Sequence, residues 1–331
     1  MRRQINAAFF NNNVIWAEKQ GSHIIDLVFG SDRRKTLTKL ANFYPEIITS
    51  ENFENHTAIL HDLEIIFSTW EMPVLTSEQI AQMKNLKAVF YAAGATQYFR
   101  EPFIKEGVIV CSATAANAVP VAEFALAQIL LAGAGYFRNS RECIDYWHTL
   151  QANNHKGCGN YGNRVSILGS GTISTVLQEF LKSHALDVVI IPSRKYNRTI
   201  SLEEAFATSF AIVNLFPDRD DNVGILNAPL FRSMINSAVF INVGRGRQIN
   251  EADLIAVMEE RPDLTALLDV QYPEPPANGS KLYILPNIQL SGHIAGAKNS
   301  ELIRMADYMI EDFIRFIKKE PLKYQVQPYQ L

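Results

Sequence analysis

Cysteine is scarce in this chain and badly placed for chemistry. Cys111, Cys143 and Cys158 are the three in 331 residues, an odd number with no CxxC spacing. That pattern argues against a disulfide framework and against a thiolate metal site, so no metal is expected. It fits reduced thiols in a cytoplasmic protein. An excess of one charge is lacking too. The formal net charge is -3, and lysine and arginine are scattered, so no basic field favours nucleic acid or an anionic membrane surface. No apolar run stands out as long enough to span a bilayer. Met1 to Val14 holds two arginines and then Asn11, Asn12 and Asn13, without the apolar core of a signal peptide. Asn55-His56-Thr57 matches a glycosylation sequon, which means little without a secretion signal. Internal repeats and low-complexity tracts are missing as well.

What remains is the composition of a globular chain with a full core. Hydrophobic residues make up 47% and charged residues 20%, and the length suits two domains. Short apolar runs rich in β-branched residues alternate with helix-length amphipathic segments, which predicts parallel βαβ units. The first set of expected strands is Ile5 to Phe10, Glu46 to Thr49, Leu63 to Thr69, Ala88 to Ala92 and Val108 to Cys111. A helix is expected over Ser77 to Met83, capped by Ser77. Val119 to Gly133 reads as a strong helix, with Pro120 in its first turn. A glycine-rich loop, Gly157 to Gly162, follows. The second set of strands is Arg164 to Leu168, Asp187 to Ile191, Phe210 to Leu215, Val239 to Val243, Thr265 to Leu268 and Ile288 to Ser291. Six strands with intervening helices suit a dinucleotide-binding domain. The last helix, Ser300 to Lys318, is expected to fold back onto the first domain.

The strand Val165 to Leu168 runs into Gly169-Ser170-Gly171-Thr172-Ile173-Ser174, which is GxGxxS. The first glycine allows a tight turn, and the second lets backbone approach a pyrophosphate. The following helix offers free N–H groups to the anion. One residue short of GxGxxG, the match alone is weak, and a plain strand–turn–helix would read the same way. A site preferring NAD places a carboxylate at the end of the next strand. Here that strand ends in Pro192-Ser193-Arg194-Lys195, and Asp187 comes too early. A hydroxyl followed by two cations can hold a 2′-phosphate, which predicts NADP(H) in preference to NAD(H). The alternative is a solvated basic turn.

Three further segments lie at or just beyond the ends of predicted strands, where doubly wound sheets bind ligands. They are Phe240 to Glu251 around Gly244-Arg245-Gly246, Leu268 to Pro275 with Asp269 and Glu274, and Leu285 to Gly296 with His293. This ordered set resembles the D-isomer-specific 2-hydroxyacid dehydrogenase family, which includes glyoxylate/hydroxypyruvate reductases and D-3-phosphoglycerate dehydrogenases. The resemblance covers nearly the whole chain and is strongest from Val119 to Ala297. It implies two doubly wound α/β domains: a Rossmann cofactor domain, 118–295, inserted into a discontinuous flavodoxin-like substrate domain, 1–117 and 296–331.

It also implies roles. Arg245 would clamp the substrate's carboxylate and carbonyl oxygen. His293 would give a proton to the forming alkoxide, or take it in the reverse direction. Glu274 would stabilise the imidazolium, and Asp269 would hold the nicotinamide carboxamide. Phe216, Pro217 and Val243 would line the cofactor groove beside Gly169 to Ile173. The backbone of Ala93, Gly94 and Ala95 would meet the substrate's carboxylate. The resemblance implies a hydride transfer between NAD(P)H and a small 2-oxo or 2-hydroxy acid, D-stereospecific, in a homodimer to which Tyr146 and Trp147 would contribute. Taken singly, His293 reads as a buried structural histidine, Arg245 as a surface charge and Glu274 as part of a solvent loop.

The chain departs from the family pattern in several places. Ser174 replaces the third glycine, Asn214 stands where histidine is frequent, and Asn222 where threonine is. Thr96 to Phe99 replaces an Asp-Asn turn, and Ser112-Ala113-Thr114 replaces Asn-Thr-Pro. A second reading therefore stays open, a non-catalytic dinucleotide-sensing, partner-binding protein on the same fold. Formate dehydrogenation is disfavoured, because that branch carries glutamine where Glu274 stands.

Overall fold

The computed structural model describes residues 5–13, 23–152 and 157–327. The chain divides into two compact units, 1–117 with 297–331, and 118–296.

The first unit is built on a five-stranded parallel sheet: β1 (Ile5–Phe10), β2 (Ala41–Phe43), β3 (Ile65–Ser68), β4 (Ala88–Tyr91) and β5 (Ile109–Ser112), in the order β2-β1-β3-β4-β5. This is the flavodoxin-like order. The strands are buried on both faces, so they read as continuous apolar runs rather than alternating ones. The helix Glu301–Lys318 covers one face. Its buried apolar residues, Leu302, Met305, Ala306, Met309, Ile310 and Phe313, recur at three and four positions, giving one apolar stripe. Phe313 meets Phe67 edge-on at 5.1 Å, and Asp307 forms a two-bond pair with Arg33 of the helix Ile24–Leu40. The C-terminal segment thus completes the unit that the N-terminal residues began.

The expected second strand is displaced. Residues 41–43 pair with β1, and the chain returns at Ile48 for one bridge to Phe10. Ile48 is fully buried, so its run looked like a strand, although most of that run pairs with nothing. The helix Ser77–Gln82 is capped by Thr76, not Ser77, in a reciprocal capping box with Gln79.

The second unit holds six parallel strands: β6 (Arg164–Leu168), β7 (Asp187–Ile191), β8 (Ala211–Asn214), β9 (Val239–Asn242), β10 (Thr265–Leu268) and β11 (Ile288–Leu290), in the order β11-β10-β9-β8-β6-β7. Alternation along β9 sends Phe240 to one face, with Phe206 and Phe231, and Val239 and Ile241 to the other, with Val121, Ala125 and Leu177. Each fully buried aromatic ring contributes about 2–3 kcal/mol of transfer free energy. The sheet is doubly wound, as expected. The chain reverses direction between β6 and β8, so the crevice beyond their carboxyl ends is where such a fold takes a ligand.

The helix expected from Val119 starts earlier, at Thr114, and runs to Gly133 with Pro120 inside it. Contrary to the reading of the sequence, it is long and apolar enough to cross a membrane by length and composition. Val121, Ala122, Ala125, Ile129 and Ala132 lie in the core of the second unit, where small side chains let the helix sit close to the sheet.

Candidate active site

The glycine loop is shaped by two close approaches. Gly169 has φ +123°, and a Cβ there would lie 2.5 Å from the Leu215 carbonyl oxygen. Only glycine tolerates both. At Gly171 a Cβ would meet nothing within 4 Å, so this glycine borders open space. Gly171 caps the helix Thr172–Leu181 without a side-chain bond. Among the described residues no hydrogen bond uses the N–H groups of Ser170 to Ser174. These groups and the helix dipole form a cradle for an anion. Ser170 and Thr172 are exposed, and Ile173 is half-buried. Ser174 is 1% exposed, and its carbonyl and hydroxyl oxygens accept from Gln178 Nε2, so the departure from glycine packs without a void.

At the end of β7, Arg194 and Lys195 are exposed and Ser193 is half-buried. Arg198 donates to the carbonyls of Pro192 and Ser193 at 2.9 and 2.8 Å, which fixes the turn. Arg219, from the loop after β8, reaches Ser193 Oγ at 3.3 Å. Nothing in the sequence marks this further cation, because it arrives from 26 residues away. Asp221 forms a two-bond pair with Arg219 and partly offsets its charge. Pro217 is exposed, but the Phe216 and Val243 side chains are 2% and 6% exposed and belong to the core.

Beyond β9, Arg245 has a half-exposed side chain. Its Nη1 donates to the Gly244 carbonyl at 2.8 Å, and its Nε lies 3.9 Å from Asp218 Oδ2. Arg247 pairs with Asp218 and, at 3.0 Å, with Asp220. A Cβ on Gly246 would fall 1.9 Å from the Gln271 carbonyl carbon. The backbone of the Arg245 loop therefore presses on that of the segment beyond β10.

That segment carries Asp269, which is 2% exposed. Its Oδ1 accepts from Ser291 Oγ and the Ile294 N–H, both at 2.7 Å, and its Oδ2 from the Ala295 N–H at 3.0 Å. The His293 N–H donates to the Asp269 carbonyl at 2.7 Å. Asp269 thus holds the histidine loop with its backbone and its side chain. His293 sits at φ +59°, a conformation that costs a non-glycine residue about 1 kcal/mol. Its Nδ1 lies 2.6 Å from Glu274 Oε1, and both side chains are partly exposed. With Glu274 ionised, that contact keeps a proton on Nδ1 and leaves Nε2 for exchange with a ligand. Arg245, Asp269, Glu274 and His293 all stand on one edge of one sheet, at the ends of β9, β10 and β11.

In the first unit, the loop after β4 is pinned by the residues that depart from Asn-Thr-Pro. Ser112 Oγ donates to the Gly94 carbonyl at 2.7 Å, and Thr114 Oγ1 does so at 3.0 Å. Ala93 is buried, Gly94 half-buried and Ala95 exposed. Among the described residues the N–H groups of Gly94, Ala95 and Thr96 make no hydrogen bond. Arg100, unremarkable in the sequence, is 5% exposed, donates to Thr96 Oγ1 at 3.2 Å and forms no ion pair among the described residues. Burial holds its pKa below the usual arginine range.

Comparison with known proteins adds resemblances to this geometry. Residues 134–295 match the model of the D-isomer specific 2-hydroxyacid dehydrogenase NAD binding domain. A glyoxylate/hydroxypyruvate reductase A of Salmonella newport (strain SL254) is 28% identical over 176 residues, 49% of this chain and 54% of that protein. A D-3-phosphoglycerate dehydrogenase of Archaeoglobus fulgidus is 23% identical over 265 residues, 76% of this chain and 49% of that one. The chain thus spans about half the length of these relatives. A phosphoglycerate oxidoreductase from Rhizobium etli shares the fold over 99% of both chains, with a TM-score of 0.77 and 21% identity.

Proposed function

We propose that this chain, a relative of the D-isomer specific 2-hydroxyacid dehydrogenases, transfers a hydride between a nicotinamide dinucleotide and a small 2-oxo or 2-hydroxy acid. The observation that carries the reading is the His293–Glu274 pair on the same sheet edge as Arg245 and the open glycine cradle. The cradle suits a pyrophosphate: unpaired N–H groups face it, and no atom would crowd a Cβ at Gly171. When bound, the nicotinamide supplies or receives the hydride.

The chain's own groups do the rest. Arg245 binds the acid's carboxylate and polarises its carbonyl through a two-bond fork. His293 Nε2 passes a proton to the oxygen that gains charge, and Glu274 stabilises the resulting imidazolium. Asp269 keeps the histidine loop in place, and its Oδ2, with one bond made, can accept from the carboxamide. In the first unit, the N–H groups of Gly94 and Ala95, which make no hydrogen bond among the described residues, suit a carboxylate as well. Glu274, being an acid, favours this chemistry over formate oxidation. D-stereospecificity is proposed on the resemblance to that family.

Preference for NADP(H) rests on Ser193, Arg194 and Lys195, joined by Arg219. No carboxylate stands in the turn Pro192 to Lys195 itself, and Arg219 adds a cation that Asp221 partly offsets. A homodimer is proposed through the exposed apolar side chains of Tyr136, Tyr146, Trp147 and Leu150, which leave solvent when two copies meet.

The test is consumption of NADPH and NADH by purified protein against a panel of small 2-oxo acids, with His293→Ala beside it. Turnover of one acid, lost in the variant while cofactor still binds, supports the enzyme. Tight cofactor binding without turnover of any acid would transfer the case to the dinucleotide sensor.

A further inference from the structure

Three amide side chains meet in the core beneath the sheet edge. Asn214 ends β8, Asn242 ends β9 and Gln248 follows the Arg245 loop, and all three are fully buried. Asn214 Nδ2 donates to Asn242 Oδ1 at 2.8 Å and to Gln248 Oε1 at 2.6 Å. Asn214 Oδ1 accepts from the Phe216 N–H at 3.2 Å. Gln248 Nε2 donates to the Phe216 and Pro217 carbonyls at 2.7 and 2.9 Å. Asn242 Nδ2 donates to the Val270 carbonyl at 3.1 Å and reaches that of Arg245 at 3.5 Å. Asn242 Oδ1 also accepts from the Gly244 N–H at 3.3 Å. Each amide uses both of its hydrogens and its oxygen, so none can flip without orphaning a partner.

Apolar residues could fill this space at lower desolvation cost. They could not fix three loops at once, because packing has no direction and hydrogen bonds do. The loops so joined are Phe216-Pro217, Gly244-Arg245 and Val270. Arg245 needs such a base. Its guanidinium is half-exposed and held by its own neighbour's carbonyl, with Asp218 at 3.9 Å. Where it points depends on the backbone under it.

We infer that Asn214, Asn242 and Gln248 form a buried amide junction that positions Arg245 against the loops after β8 and β10, so that these three are positioning residues for carboxylate binding. This rests on the function proposed above. It also accounts for Asn214. An amide donates twice and accepts once, and an imidazole at this point could not.

The test uses Gln248→Met, which keeps length and loses the amide, and the milder Asn214→Ser. Each is measured for KM of the turned-over 2-oxo acid, kcat, cofactor Kd, and hydrogen exchange of peptides spanning 242–250 and 268–272. In Gln248→Met the buried Phe216 carbonyl and one Asn214 N–H lose their partner, and the Pro217 carbonyl keeps only Asn222 Nδ2, so KM for the acid should rise by about ten-fold or more, with a smaller change in cofactor Kd. Exchange in 242–250 should quicken while melting stays cooperative. Unchanged KM and unchanged exchange would overturn the inference, as would equal loss of acid and cofactor binding in both variants. If the unmodified protein turns over no acid, the functional reading fails. The exchange measurement then decides on the junction alone, with unchanged protection counting against it.

Discussion

Nδ1 of His293 and Oε1 of Glu274 lie 2.6 Å apart, although 19 positions separate them and each stands on its own loop. The Asp269 carbonyl and carboxylate hold one loop, and the backbone contact at Gly246 braces the start of the other. Glu274→Gln keeps a hydrogen-bonding group beside the imidazole and removes the charge. If the pair works as acid–base machinery, kcat for reduction should fall by about 10–100-fold, with little change in cofactor affinity. A variant with unchanged kcat would show that Glu274 serves structure only.

The two glycines that border the site should behave oppositely. Gly246→Ala drives a methyl into the Gln271 backbone, which has no flexible end to yield. A loss of about 3 kcal/mol or more is expected, read as a lower denaturant midpoint. Gly171→Ala meets no atom, so the fold should melt almost as before. Its methyl would instead stand where a pyrophosphate lies, so the affinity for NADPH or NADH should drop by about ten-fold. Equal stability loss in both variants would contradict this division.

Much of the fold, and the position of the candidate residues on it, was legible in the sequence for a physical reason. Strands buried on both faces read as dense apolar runs, so Arg164–Leu168, Asp187–Ile191 and Thr265–Leu268 are found where expected. Sites of doubly wound sheets follow strand ends, and Arg245, Asp269, Glu274 and His293 stand beyond the ends of β9, β10 and β11, where the sequence pattern put them. What could not be read depends on partners distant in sequence. Residues 41–43 are too short and too polar to announce a strand. Thr76 outcompeted Ser77 as a cap because Gln79 lies three residues after it. Arg219 and the Asn214–Gln248 contact arise from loops that only the fold brings together.

Cofactor choice is open to a direct measurement. Arg194→Ala and Arg219→Ala each remove a cation near Ser193. If these cations hold a 2′-phosphate, the NADPH-to-NADH ratio of kcat/KM should fall by about ten-fold in at least one of them, with NADH kinetics nearly unchanged. Raised salt should weaken NADPH binding more than NADH binding. Equal response of both cofactors would assign the turn to the solvent surface.

His23 links folding to pH at a distance from the chemistry. Its Nδ1 accepts the Ile25 N–H at 3.2 Å and caps the helix Ile24–Leu40. Only the neutral ring can accept. Burial, the largest cause, lowers its pKa from the ordinary 6.5, and Arg34 lowers it further, against an opposing pull from Asp26. Depression of a histidine pKa means that the unfolded chain binds the proton more readily. The contribution is therefore fully present above 6.5 and is lost as pH falls through 6.5 towards the lower folded value. Asparagine caps a helix without titrating in this range. Urea midpoints of the natural chain and His23→Asn, compared at pH 7.5 and about pH 5, should converge or cross as the pH falls, because the other titrating groups are common to both. A constant difference across that range would mean that the cap does not depend on the ring being neutral.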